Sequence, residues 1–341
     1  MTKKEKYNVA IVGSTGAVGR EMIGILNERK FPYGELRLIA SERSEGLKID
    51  SNGNSLTVRK LDNDCFEGID IALFSAGATR SREFAHIAVS SGAVVIDNSS
   101  AFRMDIDVPL VIPEINPGAI SEYRTRGIIA NPNCTTAVTA MALKPIHDIS
   151  RIRRVIATSF QAVSGAGAQA VSELEQQTRD WMDNKQIKPG VFPHQIAFNV
   201  IPHIDVFMEN SYTKEEMKLH LESRKILGDK SMNLTATTVR VPVFRAHSVS
   251  VNLETERKIT AEEAREAFNN FRGLRVVDNI NNNEYPMPTT ASGLDDCLVG
   301  RIREDYTVEN GLCFWISGDQ LRKGAALNAV QIAEELIKNH V

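Results

Sequence analysis

Short, mostly apolar runs alternate with helical stretches through the first third of the chain. Tyr7 to Val12, Leu36 to Ala40, Ile69 to Ser75, Ala93 to Asp97 and Gly127 to Ala130 have strand length and little polar alternation. Strands buried on both faces read this way, and their separation by helices predicts a parallel, doubly wound sheet. The pattern changes after Cys134. Arg153 to Ala162 predicts a long strand, followed by a glycine-containing turn and a polar helix from Ala168 to Asn184. A further helix is expected from Thr213 to Leu227. In Leu234 to Val243 and Ser248 to Glu254 the β-branched residues alternate, as in strands with one wet face. The last strand, Leu312 to Ser317, leads into a helix from Leu321 to Asn339. Its Ala325, Leu327, Ala329, Val330, Ile332 and Leu336 form an apolar stripe suited to packing back on the first domain. The expected fold class is α/β: a Rossmann-like doubly wound parallel sheet domain with a second, α+β domain.

Length and charge narrow the picture. A chain of 341 residues is long for one core and sufficient for two. Forty basic and 43 acidic residues are interspersed, giving a formal charge of −3, and no basic block is long enough to track a phosphate backbone, so no nucleic-acid partner is expected. The lysine-rich start, Met1 to Tyr7, precedes no signal-length apolar segment, and no uninterrupted apolar span has membrane length. A cytoplasmic protein without membrane contact is expected. Cys65, Cys134, Cys297 and Cys313 have neither zinc spacing nor the density of a disulfide framework, and His194 and His203 lack helix-borne ligand spacing. No metal is expected.

Candidate chemistry sits at two places. At the first, Tyr7 to Val12 runs into Gly13-Ser14-Thr15-Gly16-Ala17-Val18-Gly19 and a helix through Leu26. Such a turn lets a pyrophosphate approach the N–H groups at a helix start, although the G-x-x-G-x-x-G spacing departs from the commoner dinucleotide fingerprint. Beyond the second strand stand Ser41, Glu42, Arg43 and Ser44. Arg43 with the two hydroxyls suits a 2′-phosphate, hence NADP, while Glu42 suits a free ribose hydroxyl. At the second, Asn131-Pro132-Asn133-Cys134-Thr135-Thr136 puts a cysteine where a strand and proline turn give way to a helix. Unpartnered N–H groups and the helix dipole favour thiolate there, and the same N–H groups can bind an oxyanion. The competing reading is a small buried cysteine in a packing joint. His247, in Arg240-Val241-Pro242-Val243-Phe244-Arg245-Ala246-His247, is the best base among the histidines, because neighbouring cations keep an imidazole neutral and ready to accept a proton near pH 7. A hydrogen-bonded structural histidine is the alternative. Arg240 and Arg245, five apart on one strand, should point to opposite faces, so at most one enters the pocket.

Taken together these segments resemble the aspartate-β-semialdehyde dehydrogenase family. Phe74-Ser75-Ala76-Gly77, Asp97-Asn98-Ser99-Ser100-Ala101-Phe102-Arg103 and Gln161-Ala162-Val163-Ser164-Gly165-Ala166-Gly167 extend the resemblance over nearly the whole chain. It implies Cys134 as acyl-forming nucleophile, His247 as acid/base catalyst and Gln161 as the group orienting the acyl intermediate. It also implies Arg240 for the substrate carboxylate, Glu215 for its amine, and Arg103, Asn133 and Lys218 for phosphate. Helical phase favours Glu215 over Glu216, since Glu215 and Lys218 are three apart and share a face. NADP would be held by Gly13, Ser14, Thr15, Gly16, Ala17, Val18, Ser41, Arg43, Ser44, Ser75, Gly77, Ser164 and Gly165, with Asn328 near the nicotinamide. The implied substrates are L-aspartyl phosphate, aspartate semialdehyde and inorganic phosphate, in the aspartate route to lysine, threonine, methionine and isoleucine. The implied domains are residues 1–133 completed by 321–341, which bind the dinucleotide, and residues 134–320 for catalysis and dimerisation; a homodimer is expected.

Three rival readings are separable. N-acetyl-γ-glutamyl-phosphate reductase performs parallel chemistry, but its acylated amine has no use for an acidic contact, and its nucleophile motif looks different. A thiol hydrolase built on Cys134 and His247 leaves the glycine-rich turn unexplained. A non-catalytic nucleotide-binding regulator leaves Cys134, Gln161, Arg240 and His247 unexplained.

Overall fold

The computed structural model describes residues 2–341, which form two compact units, one reaching Asn133 and resumed by Ala325–Val341, the other Cys134–Gly324. In the first unit the order is β1 (Tyr7–Val12), α1 (Ala17–Glu28), β2 (Tyr33–Ala40), β3 (Lys48–Ser51), β4 (Asn54–Thr57), β5 (Arg59–Lys60), β6 (Ile71–Phe74), α2 (Ala78–Ser90), β7 (Val94–Asp97) and β8 (Ile128–Ala130). Six strands form one sheet in the order β5-β2-β1-β6-β7-β8, and every neighbouring pair is parallel. Central strands β6 and β7 are buried at all positions, which is why their sequence lacks polar alternation. The hairpin β3–β4 is an addition that apolar patterning did not reveal, because only Ile49 and Ser51 of its residues are buried.

The second unit contains α3 (Cys134–Ile149), β9 (Ile152–Gln161), α4 (Ala168–Met182), α5 (Lys214–Leu227), β10 (Asn233–Arg240), β11 (His247–Thr255), α6 (Ala261–Asn269), β12 (Leu274–Val276), α7 (Pro288–Ala291), β13 (Cys297–Asp305) and β14 (Gly311–Gly318). Its mixed sheet runs β10-β9-β11-β14-β13-β12. Val155, Ala157 and Ser159, Val249, Val251 and Leu253, and Leu312, Phe314 and Ile316 line the buried face. Helix α3, apolar nearly all round, packs on that face against β9, β11 and β14. The other face carries half-buried Thr158, Phe160, Ser250, Asn252, Cys313 and Trp315, with the Phe160 and Trp315 rings 5.2 Å apart.

The chain then returns to the first unit as α8 (Leu327–Asn339), whose Leu327, Val330 and Leu336 share a core with Ile11 of β1 and Met22 of α1. A π-type turn over Arg322–Ala326 precedes α8, so the regular helix starts later than the expected Leu321. Among the described residues no helix is long and apolar enough to cross a membrane.

Candidate active site

In the first unit a cavity of about 850 Å³ opens beside the glycine-rich turn, lined by Gly13, Thr15, Gly16, Ser41, Glu42, Arg43 and Ser75 among others. Gly13 has φ +91°, and a Cβ there would lie 2.4 Å from the Ser75 carbonyl oxygen, so no side chain fits. Gly16 starts α1 with no side-chain cap and no acid in the first turn, which leaves first-turn N–H groups for an anion. Ala17 and Val18 form that turn. Ser14 is fully buried, its hydroxyl donating to Ile39 O at 3.2 Å. Ser41 and Ser44 bracket a short turn closed by Ser44 N–H to Ser41 O, and Gly77 starts α2. Lys60 and Arg80, absent from the expected residues, also line the cavity. Lys60 pairs with Glu42 at 2.7 Å and Arg80 with Glu83 at 2.7 Å, whereas Arg43 has no ion pair among the described residues. A dinucleotide phosphate fits this donor set.

At the carboxyl end of the same sheet, Arg103 donates from Nε to Asn131 O at 2.9 Å and from Nη2 to Asn98 O at 2.7 Å. Asn328 is fully buried, and its amide nitrogen donates to Val111 O and Asn131 Oδ1. Both side chains therefore hold Asn131, two residues before buried Asn133.

In the second unit sheet register assembles the chemistry. Arg240 ends β10 opposite Gln161, which ends β9, and β11 begins with His247 where Ser248 pairs with Phe160. Three neighbouring strands thus deliver Arg240, Gln161 and His247 to one end of the sheet. Cys134 opens α3 there, its Sγ 3.5 Å from His247 Nε2. His247 Nδ1 accepts the Ala162 N–H at 3.1 Å, and Arg240 Nη1 donates to Ala162 O at 2.7 Å. A Cβ on Gly165 would come within 3.1 Å of Arg240 Nη1 and 3.2 Å of His247 Cε1, so glycine lets both groups keep their positions.

Burial, then the Arg240 charge, lowers the His247 pKa to about 3. The ring is neutral, as expected, but burial outranks the neighbouring cation as the cause. Such a ring carries no resident proton charge near pH 7. For Arg240, burial pushes the pKa down while the Cys134 sulfur and Glu215 pull it up.

Glu215 and Lys218 lie on one face of α5, 3.1 Å apart, and Lys218 also meets Asp205 at 2.7 Å. Burial opposes the Lys218 charge, but Glu215 and Asp205 outweigh it and raise its pKa. Gln161 Nε2 reaches Glu215 Oε1 at 3.3 Å and Ser159 Oγ at 3.2 Å. Glu216 is spent otherwise: its carboxylate accepts the Thr213 N–H at 2.7 Å in a capping box and the Thr238 N–H at 3.1 Å.

One strand expectation is corrected here. Strand β10 stops at Arg240, and Val241 to Ala246 form a turn, so Arg245 is not on that strand; it pairs with buried Asp319 at 2.6 Å. Ala246 has φ +71° and donates its N–H to Gln320 Oε1 at 2.7 Å. Gln320 also donates to Ser164 Oγ, whose hydroxyl donates to Phe244 O. Asp319 and Gln320 were missed in the sequence; the only signal was polar residues directly after an apolar strand. Among the described residues no cluster of three or more His, Cys, Asp and Glu side chains is placed to hold a metal.

Residues 8–123 match the family described as "Semialdehyde dehydrogenase, NAD binding domain", and residues 143–323 match "Semialdehyde dehydrogenase, dimerisation domain". The chain is 55% identical to the aspartate-semialdehyde dehydrogenase of Aquifex aeolicus, across 97% of this chain and 98% of that one. It is 47% identical to the Synechocystis enzyme of the same name, across 97% of each. The solved Vibrio cholerae aspartate semialdehyde dehydrogenase II complexed with ASA superposes with a TM-score of 0.96 at 46% identity, covering 99% of this chain and all of that one.

Proposed function

Because this chain belongs to the aspartate-semialdehyde dehydrogenase family, we propose that it interconverts L-aspartyl 4-phosphate and L-aspartate 4-semialdehyde with NADP, through a thioester on Cys134. The observation that carries this reading is the Cys134 sulfur at a helix start, 3.5 Å from His247, with Arg240 and Gln161 on the adjoining strand ends. In the reductive direction the Cys134 thiolate attacks the acyl carbon and phosphate leaves. First-turn N–H groups of α3 stabilise the oxyanion. Bound NADPH supplies the hydride that reduces the thioester. Arg240 offers a planar fork to the α-carboxylate, Glu215 faces the ammonium, and Gln161 orients the acyl group. Arg103, Asn133 and Lys218 are the phosphate contacts.

The cofactor's phosphates belong at the Gly13 to Val18 turn, with Ser75 and Gly77 beside it and Ser164, Gly165 and Asn328 as further contacts. Ser41, Arg43 and Ser44 take the 2′-phosphate. This choice of NADP is supported by the Glu42–Lys60 pair, which engages the carboxylate otherwise suited to a free ribose hydroxyl. A homodimer completes the reading, supported by the match of residues 143–323 to a dimerisation domain. The test is NADP-dependent oxidation of aspartate semialdehyde in the presence of inorganic phosphate. Absence of phosphate-dependent NADPH formation would refute the assignment.

A further inference from the structure

We propose that buried Asp319 is a positioning residue for the Cys134–His247 pair: it anchors a strap, residues 318–324, that pairs with His247 at one end and lies against Cys134 at the other. The inference rests on the thioester reading above and adds a residue that acts through the pair.

The strap leaves β14 at Gly318, which stands opposite His247 of β11. It has no slack toward α3. A Cβ on Gly318 would lie 2.8 Å from the Val138 side chain, and one on Gly324 would lie 2.9 Å from the Cys134 Cβ. Val138 follows Cys134 by one turn of α3, so the strap runs along the start of that helix from the histidine's neighbour to the cysteine itself. Its path therefore fixes a separation. Cys134 Sγ and His247 Nε2 are 3.5 Å apart, the reach needed to pass a proton, and a shift on the order of 1 Å in either partner would break that contact.

Asp319 holds this path from inside. Its side chain is fully buried, and its carboxylate accepts from Arg245 Nε at 2.6 Å, the Gly293 N–H at 2.6 Å, the Leu321 N–H at 2.9 Å and the Arg322 N–H at 3.3 Å. Its own carbonyl accepts the Gly324 N–H at 3.1 Å, which closes the strap on itself. Arg245 ties the same carboxylate to the turn that carries His247. On that turn Ala246, at φ +71°, donates its N–H to Gln320 Oε1 at 2.7 Å, so consecutive strap residues grip consecutive residues before the histidine. An apolar side chain would fill this space without the cost of desolvating a charge. What the carboxylate adds is direction, because donors from separate segments converge on its two oxygens.

Asp319→Asn removes that convergence at nearly constant volume. The amide keeps one acceptor oxygen, turns an NH₂ toward other donors and leaves Arg245 without its charge partner.

The test mixes the full chain with aspartate semialdehyde and NADP in the absence of phosphate and follows the single burst of NADPH by stopped-flow fluorescence. Burst amplitude counts competent subunits and the rate constant reports chemistry within them, so a folding defect and a positioning defect separate. Asp319→Asn should slow the burst on the order of thirtyfold, with half-saturating NADP and semialdehyde concentrations within about threefold of wild type. A rate constant within about threefold of wild type, at any amplitude, overturns the proposal. Gly324→Ala leaves the Asp319 anchor in place and presses on Cys134, so it decides the matter if Asp319→Asn does not fold. It should slow the burst by about tenfold, and a wild-type rate constant there also overturns the proposal. A merely structural role would not survive the last arm. In a His247→Asn background, Asp319→Asn should slow the burst by less than about threefold, because a spacing has no meaning once one partner is gone. A repeat of the full loss would show that Asp319 acts by another route. Failure of the thioester reading looks different: wild type itself gives no burst, and the proposal falls with it.

Discussion

Replacing His247 by Asn should make the protein less sensitive to acid. The folded ring has its pKa lowered from 6.5 to about 3, so between those values the unfolded chain binds a proton that the folded chain refuses. Stability contributed by the neutral ring is therefore present above the unfolded pKa and lost as pH falls below it. The cost at pH 5.5 is on the order of 1 kcal/mol, close to nil at pH 7.5, and reaches roughly 4 kcal/mol near pH 3. Urea unfolding of wild type and His247→Asn at pH 7.5 and 5.5 measures the effect as a difference of differences. The lost Ala162 hydrogen bond weakens the variant equally at both values and cancels, as do the other titrating groups. Wild type should lose on the order of 1 kcal/mol more than the variant over this interval. An equal loss in both would show that His247 titrates as it does in water, and the account of a neutral ring imposed by burial would be wrong.

Arg240→Lys keeps the charge but loses the paired fork and the tie to Ala162 O, so kcat/KM for the semialdehyde should fall by about thirtyfold, equivalent to roughly 2 kcal/mol, with NADP binding intact; near-wild-type kinetics would exclude the carboxylate role. Arg43→Ala should weaken NADP on the order of tenfold or more while sparing NAD, and Lys60→Ala should narrow the preference in the same direction by freeing Glu42; fluorescence titration with both cofactors distinguishes this from uniform loss. Glu216→Ala should cost roughly 2 kcal/mol of stability, because two buried N–H groups lose their acceptor, whereas Glu215→Ala should chiefly raise the KM for substrate; the reverse pattern would exchange their roles.

The parallel sheet was legible because strands such as Ile71–Phe74 are buried on both faces and carry a continuous apolar run. The helix opened by Cys134 was legible from its proline turn and apolar continuation. What escaped depends on partners distant in sequence. The hairpin Lys48–Thr57 is too exposed for an apolar signal. Arg245 looked like a strand residue because β-branched alternation overruns the true end at Arg240, and only Asp319, 74 residues away, shows what holds it. The neutral state of His247 was expected, but its main cause was not, for a related reason. Local cations could be read from the sequence, but the complete burial produced by α3 and the sheet could not.

The thioester is tested most directly by mixing the protein with aspartate semialdehyde and NADP in the absence of phosphate. The account predicts a burst of NADPH stoichiometric with subunits and an acyl adduct that peptide mass spectrometry places on Cys134, discharged when phosphate is added. Steady NADPH formation without phosphate and without an adduct, or an adduct on Cys65, Cys297 or Cys313, would contradict it.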